Sequence, residues 1–100
     1  MLNITNKTEN GTAVCCLEGR LDTTTAPDLD KELKALPEDV KDLTLDFKDL
    51  EYISSAGLRV LLATQKMMTE REGTMKVCNV NEMVNEIFEV TGFTDILTIA

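Results

Sequence analysis

LTLDFKDLEYISSAGLRVLL, residues 43–62, changes its hydrophobic period halfway along. Leu43, Leu45 and Phe47 alternate with Thr44 and Asp46, the period of two that turns one face of a strand toward a core. From Ser55 the period lengthens. Leu58, Leu61, Leu62 and Met68 fall on one helical face, and Val60, Ala63 and Met67 widen it, which predicts a helix over residues 55–72 more deeply buried than an ordinary amphipathic one. Between the two, KDLEY (48–52) keeps neither period and reads as a loop. The central feature is therefore an extended segment that gives way to a helix through two adjacent hydroxyls, Ser54 and Ser55, with Gly57 two residues on.

Upstream, Thr12 to Gly19 is apolar and β-compatible, and Glu9, Asn10 and Gly11 turn it back on Leu2 to Thr8, which predicts an opening hairpin. In RLDTTTAPDLDKELKAL, Thr23 to Thr25 offer N-caps, Pro27 suits a first turn, and Asp28 and Asp30 favour the positive end of a helix beginning near Thr25. Leu29, Leu33 and Leu36 give that helix one narrow apolar stripe, and Pro37 ends it. Downstream, Gly73 closes the long helix and TMKVCNV is a short strand. Asn81 then caps a last helix with a core-facing cluster of Met83, Val84, Ile87 and Phe88, ended by Gly92, and FTDILTI supplies a final strand. The order β-β-α-β-α-β-α-β defines the α/β class: a central mixed β-sheet with α-helices packed on it, its β-α-β units crossing over right-handedly.

One hundred residues form a single domain, 1–100, that buries about 60–65% of its unfolded surface, with a radius of gyration of about 13 Å. With 43% hydrophobic and 28% charged residues the chain has the balance of a soluble globular protein. A net charge of −8, with no basic run, argues against nucleic acid and against anionic membranes as partners. No apolar run is long enough to span a bilayer, and the polar start MLNITNKTENG has neither region of a signal peptide, so the cytoplasm is the expected location. Cys15, Cys16 and Cys78 are odd in number and lack Cys-x-x-Cys spacing, which fits reduced structural thiols and neither a disulfide framework nor a zinc site.

The absence of histidine removes Ser-His-Asp and Cys-His catalysis and histidine metal ligation. The Gly-rich phosphate loops and the Gly-x-Ser-x-Gly elbow are also missing, and the carboxylates form no catalytic pair in the sequence, although acids such as Asp22 and Asp49 could meet in space. No cofactor, no metal and no enzyme activity are expected.

Two readings of the serines compete. In one, Ser54 or Ser55 only caps the following helix, a contribution of typically about 1 kcal/mol. In the other, one hydroxyl accepts a phosphate, because free amides and the positive dipole end make a helix N-terminus tolerant of an anion. Gly57, without a side chain, would let a partner's backbone or a nucleotide come close to that hydroxyl, or would serve packing of helix on sheet.

LTLDFKDLEYISSAGLRVLL, together with LEGRLDTTTAPDLDKEL and the closing IFEVTGFTDIL, resembles the STAS domain of bacterial anti-sigma factor antagonists, nearly end to end and in the same order. The resemblance implies a small α/β domain that binds an anti-sigma factor with serine-kinase activity, releases a sigma factor, is inactivated when the kinase phosphorylates one serine of the turn, and is reset by a phosphatase. The family turn usually reads Asp-Ser-Ser/Thr-Gly, the acceptor directly following the Asp. On this chain the acceptor falls on Ser55, with Ser54 in the Asp position and as runner-up, and Ala56 in the next hydroxyl position. Asp22 in GRLD matches an acidic position on the family's partner-binding face. The implied contact surface is Asp22, Thr23, Ser54, Ser55, Gly57, Leu58 and Arg59, with Val60 and Met67 either extending it or packing in the core, and the protein is expected to act as a monomer. Two alternatives are a non-catalytic STAS scaffold or small-ligand sensor subunit of a signalling assembly, and a small enzyme using carboxylates or a thiol.

Overall fold

The computed structural model describes residues 2–99. The opening hairpin pairs β1 (Leu2–Glu9) with β2 (Thr12–Leu21), and only Asn10 and Gly11 remain between them. Both have positive φ, 49° and 79°, as a two-residue hairpin loop requires, which is why an Asn-Gly pair stands there. β2 runs beyond Gly19 to Leu21 and then pairs in parallel with β3 (Asp42–Ile53), which pairs in parallel with β4 (Thr74–Cys78), and β4 with the two-residue β5 (Thr98–Ile99). The five strands lie in the sheet in chain order. Helices α1 (Ala26–Lys34), α2 (Ser55–Glu70) and α3 (Glu82–Thr91) fill the connections, with a single 3-10 turn, Phe93–Asp95, before β5. The expected order of elements and the mixed sheet are both present, with a radius of gyration of 12.3 Å.

KDLEY is not a loop. It is the second half of β3, and the alternation fails because β3 carries extra residues relative to β2: Cys16 pairs with Asp46 but Glu18 with Asp49, and Gly19 pairs with Leu50 but Arg20 with Tyr52. Each bulge resets the phase of the pleat. Core-facing residues are thus two apart early in the strand (Leu43, Leu45, Phe47) and three apart later (Phe47, Leu50, Ile53), all of them buried. The bulges keep the apolar side chains inward while bending the strand end that leads into Ser54.

The core lies on one face of the sheet. Ala13, Cys15 and Leu17 of β2, the β3 set, and Met75 and Val77 of β4 meet Leu29 and Leu33 of α1, Leu61 and Met68 of α2, and Val84 and Phe88 of α3. The rings of Phe47 and Phe88 sit 6.2 Å apart at 42°, a tilted contact that ties α3 to the middle strand. On the opposite face Val14, Cys16, Thr44 and Cys78 are only half-buried and Lys76 is exposed.

The end of α2 and one face of α3 differ from expectation. α2 stops at Glu70 and closes through a Schellman arrangement, in which the Gly73 amide donates to the Met68 carbonyl and the Glu72 amide to the Thr69 carbonyl. The left-handed residue is Glu72 (φ 60°), not Gly73. Gly73 is needed for clearance, because a Cβ there would run into the Lys41 carbonyl. In α3, Met83 is 47% exposed, so the cluster expected to face the core divides: Val84 and Phe88 are buried, Ile87 is half-buried, and Met83 points outward. The αL cap at Gly92 (φ 81°) is as expected.

Candidate functional site: two turns at the end of the sheet

Leu21 and Ile53 form the last pair of the parallel β2–β3 ladder, and beyond it the two chains turn away side by side. The Ser54 amide donates to the Leu21 carbonyl at 2.9 Å, which fixes the Ser54-Ser55 turn against the Asp22–Thr25 turn. Residues over thirty positions apart in the chain are thereby made neighbours, and the turn that starts at Asp22 follows directly on the carbonyl bonded by Ser54.

The two serines have different roles. Ser54 is extended (φ −98°, ψ 175°) and half-buried, and its hydroxyl accepts a long 3.4 Å hydrogen bond from the Gly57 amide, so it is the N-cap of α2. Ser55 is the first helical residue and is exposed, and among the described residues its side chain makes no hydrogen bond. Its hydroxyl faces solvent at the positive end of a 16-residue helix whose first turn contains no acidic residue. Arg59, also exposed, stands four residues on and therefore on the same face of α2 as Ser55.

Gly57 and Leu58 face the other way. A Cβ on Gly57 would lie 2.7 Å from Leu21 Cγ and 2.9 Å from Ile53 Cγ1, so the glycine lets α2 sit down on the end of the β2–β3 pair instead of admitting a partner. Leu58 and Val60 are buried at 7% and 8% exposure and belong to the core, and Met67 packs against it half-buried. Of the implied contact residues, Thr23, Ser55 and Arg59 are exposed and Asp22 and Ser54 half-buried.

In the second turn no threonine side chain caps α1, and Asp22 closes the turn that precedes the helix. Its carboxylate accepts from the Thr24 hydroxyl (2.8 Å), the Thr24 amide (3.0 Å) and the Thr25 amide (3.1 Å). These bonds, led by that of the Thr24 hydroxyl, hold its carboxyl below the usual range. Thr25 occupies the N-cap position of α1 without a side-chain capping bond, and its buried hydroxyl donates to the Arg20 carbonyl (2.8 Å) and accepts from the Asp22 amide (2.9 Å). Sequence reasoning missed Thr25 as the pin of this turn, and the Thr-Thr-Thr run gives no sign of which hydroxyl points inward. It also missed Arg20, whose guanidinium carbon lies 4.5 Å from the Tyr52 ring centroid, because those two meet only through the shifted register.

Asp22 and Asp49 do not form an acid pair: Asp49 pairs in register with Glu18, well before the Leu21–Ile53 rung beyond which Asp22 lies. Among the described residues no three His, Cys, Asp or Glu side chains gather as a metal site, and no helix is long and apolar enough to cross a membrane. The thiols are unpaired, and burial pushes that of Cys15 up to about 12.

The chain carrying this parallel β2–β3 pair and its two joined turns belongs to the STAS domain family, whose model matches residues 3–100. It is 36% identical over 92 residues to BtrV of Bordetella bronchiseptica, covering 91% of this chain and 79% of that one. It is also 36% identical over 84 residues to the anti-sigma-B factor antagonist of Bacillus subtilis, covering 84% and 77%. The fold is shared with Bacillus SpoIIAA, an anti-sigma factor antagonist solved unphosphorylated (TM-score 0.78, 15% identity, 98% and 87% covered) and phosphorylated (TM-score 0.77, 17% identity, 98% and 91% covered).

Proposed function

We propose that the protein is an anti-sigma factor antagonist that docks the paired turns around Asp22 and Ser55 on an anti-sigma factor with serine-kinase activity, so releasing a sigma factor, and that phosphorylation of Ser55 ends the complex. The observation that carries this reading is the difference between the two serines: Ser55 is exposed and unbonded at the start of α2, whereas the Ser54 hydroxyl is committed to the Gly57 amide. Membership of a family with anti-sigma factor antagonist relatives, and a fold shared with a protein solved in a phosphorylated form, support it.

A phosphate adds about −1.5 to −2 charges. On a chain of net charge −8 this hardly alters the overall field, so its effect is local. At the N-terminus of α2 the group meets free amides and, one turn on, Arg59, and the domain stays folded. In the complex it adds bulk and an anion where a neutral hydroxyl had fitted, close to the Asp22 turn. Loss of about 4 kcal/mol of binding is a thousandfold change in affinity. A phosphatase restores the hydroxyl.

The test is phosphosite mapping by mass spectrometry on protein isolated from its own host, with affinity for the co-purified kinase measured for the wild type, Ser55→Ala and Ser55→Asp. A phosphate on Ser55, tight binding by Ser55→Ala and weak binding by Ser55→Asp are expected. A phosphate on Ser54 would overturn the assignment, and a complex indifferent to both substitutions would make the chain a STAS scaffold or sensor subunit.

A further inference from the structure

Helix α3 has more apolar surface than the sheet covers. At about 100° per residue, Val84 and Phe88 form one band, Met83, Ile87 and Val90 a second about 100° around the helix from it, and Glu82, Glu86 and Glu89 a third about 100° further round. The first band is fully buried. The second is not: Met83 is 47% and Val90 81% exposed, and with Ile87, Glu86 and Thr91 they line an open apolar groove. A lone exposed valine is unremarkable, but apolar residues at i, i+4 and i+7 beside a groove are the pattern by which one helix seats another. The third band is exposed throughout, α3 contains no Lys or Arg, and none of its three glutamates has an ion-pair partner among the described residues.

We propose that the Met83–Ile87–Val90 stripe is a docking surface for a basic amphipathic helix of a protein partner, whose apolar side chains enter the groove while its Lys or Arg row lies along Glu82, Glu86 and Glu89. The charge pattern selects this occupant. A second copy of the chain packed antiparallel about a twofold axis would set one glutamate row against the other, and each copy carries −8 overall. An anionic lipid surface is repelled by the same row. A basic helix is the one of these that satisfies the apolar and the acidic band together, and it does so on a different helix from the Ser55 turn.

The test uses two synthetic amphipathic helical peptides with the same leucine stripe, one with a lysine row and one with glutamate in its place. Binding is followed by amide chemical-shift mapping and fluorescence anisotropy, and thermal melts establish that each protein variant is folded. The lysine peptide is expected to bind, with shifts confined to α3 and its immediate neighbours, and the glutamate peptide to remain free. Affinity should fall about tenfold or more in Val90→Asp and in Glu82→Gln/Glu86→Gln/Glu89→Gln. It should be retained in Glu38→Gln/Asp39→Asn/Glu70→Gln, which removes the same charge from exposed positions elsewhere. Equal losses in both triple variants would reduce the effect to bulk charge and overturn the proposal, as would shifts centred elsewhere or no binding at about 1 mM. A dimer in sedimentation that Val90→Asp dissociates would assign the stripe to a second copy instead.

Discussion

Replacing Gly57 by alanine tests whether the seat of α2 on the sheet is as tight as its geometry indicates. The added methyl would lie 2.7 Å from Leu21 Cγ and 2.9 Å from Ile53 Cγ1. Ordinary carbon contacts are about 3.5–4.0 Å, so the neighbours or the helix must give by about 1 Å. Neither neighbour can swing aside, because the contacts are at carbons near the backbone, the branch point of Leu21 and the first methylene of Ile53, and both residues are fully buried, at 0% and 1% exposure. Overpacking of this kind costs about 1–3 kcal/mol, against which alanine regains at most about 1 kcal/mol of helix propensity. A net loss of about 1 kcal/mol is therefore expected, read as a fall in Tm of about 4–8 °C, with the urea midpoint lowered and the m-value unchanged. A double-mutant cycle with Leu21→Ala, which removes the nearest atom, should show coupling of at least about 0.5 kcal/mol, since the cavity relieves the clash. Gly57→Ala as stable as the wild type, with additive effects in the cycle, would refute the reasoning and return Gly57 to the role of leaving room for a partner.

Ser54→Ala should lower stability by about 0.5–1 kcal/mol in thermal melts, the low end for an N-cap because its bond is long, whereas Ser55→Ala should change it by under about 0.5 kcal/mol; the reverse order would exchange their roles. Asp22, held below the usual carboxyl range, contributes stability that is fully present above about pH 4 and is lost as the pH falls through its folded-state value. Asp22→Asn, which keeps an oxygen for the Thr24 and Thr25 amides, should flatten the acid limb of stability below about pH 4, and an unchanged limb would remove the carboxylate from the account. Cys15, buried with its thiol raised to about 12, should resist an aromatic disulfide reagent at pH 8 until the protein unfolds, while Cys16, half-buried on the open face of the sheet, reacts in the native state; equal reactivity would contradict the packing of β2.

Most of the fold was legible because periodicity and punctuation agree along most of the chain. Asn10-Gly11 and Gly92 stand at a turn and a helix end, while α1 stops at Lys34, three residues before Pro37, and leaves Leu36 outside the helix. What escaped depends on pairing between distant segments. The bulges in β3 are defined only against β2, so KDLEY had no readable period until Leu50 and Ile53 were seen to share a face with Phe47. At the site, Ser55, Asp22 and the start of α2 were found from local pattern and resemblance, but the inward aim of Gly57 and Leu58 needed the position of Leu21, thirty-six residues before the glycine. Met83 was assigned to the core because a helical face read from sequence has no limit on its width, whereas the sheet beneath α3 does.

The order of strands in the sheet also bears on how the chain reaches its native state. Since every strand joins the edge made by the strand before it, no pairing waits for a distant segment to be synthesised. The Asn10-Gly11 hairpin is the first pairing whose strands are complete in the chain, β3 and β4 follow in turn, and the two residues of β5 come last. Such a chain can build its sheet from the N-terminus outward as it emerges from the ribosome, and the loop-closure entropy at each step is that of one intervening helix and its linkers.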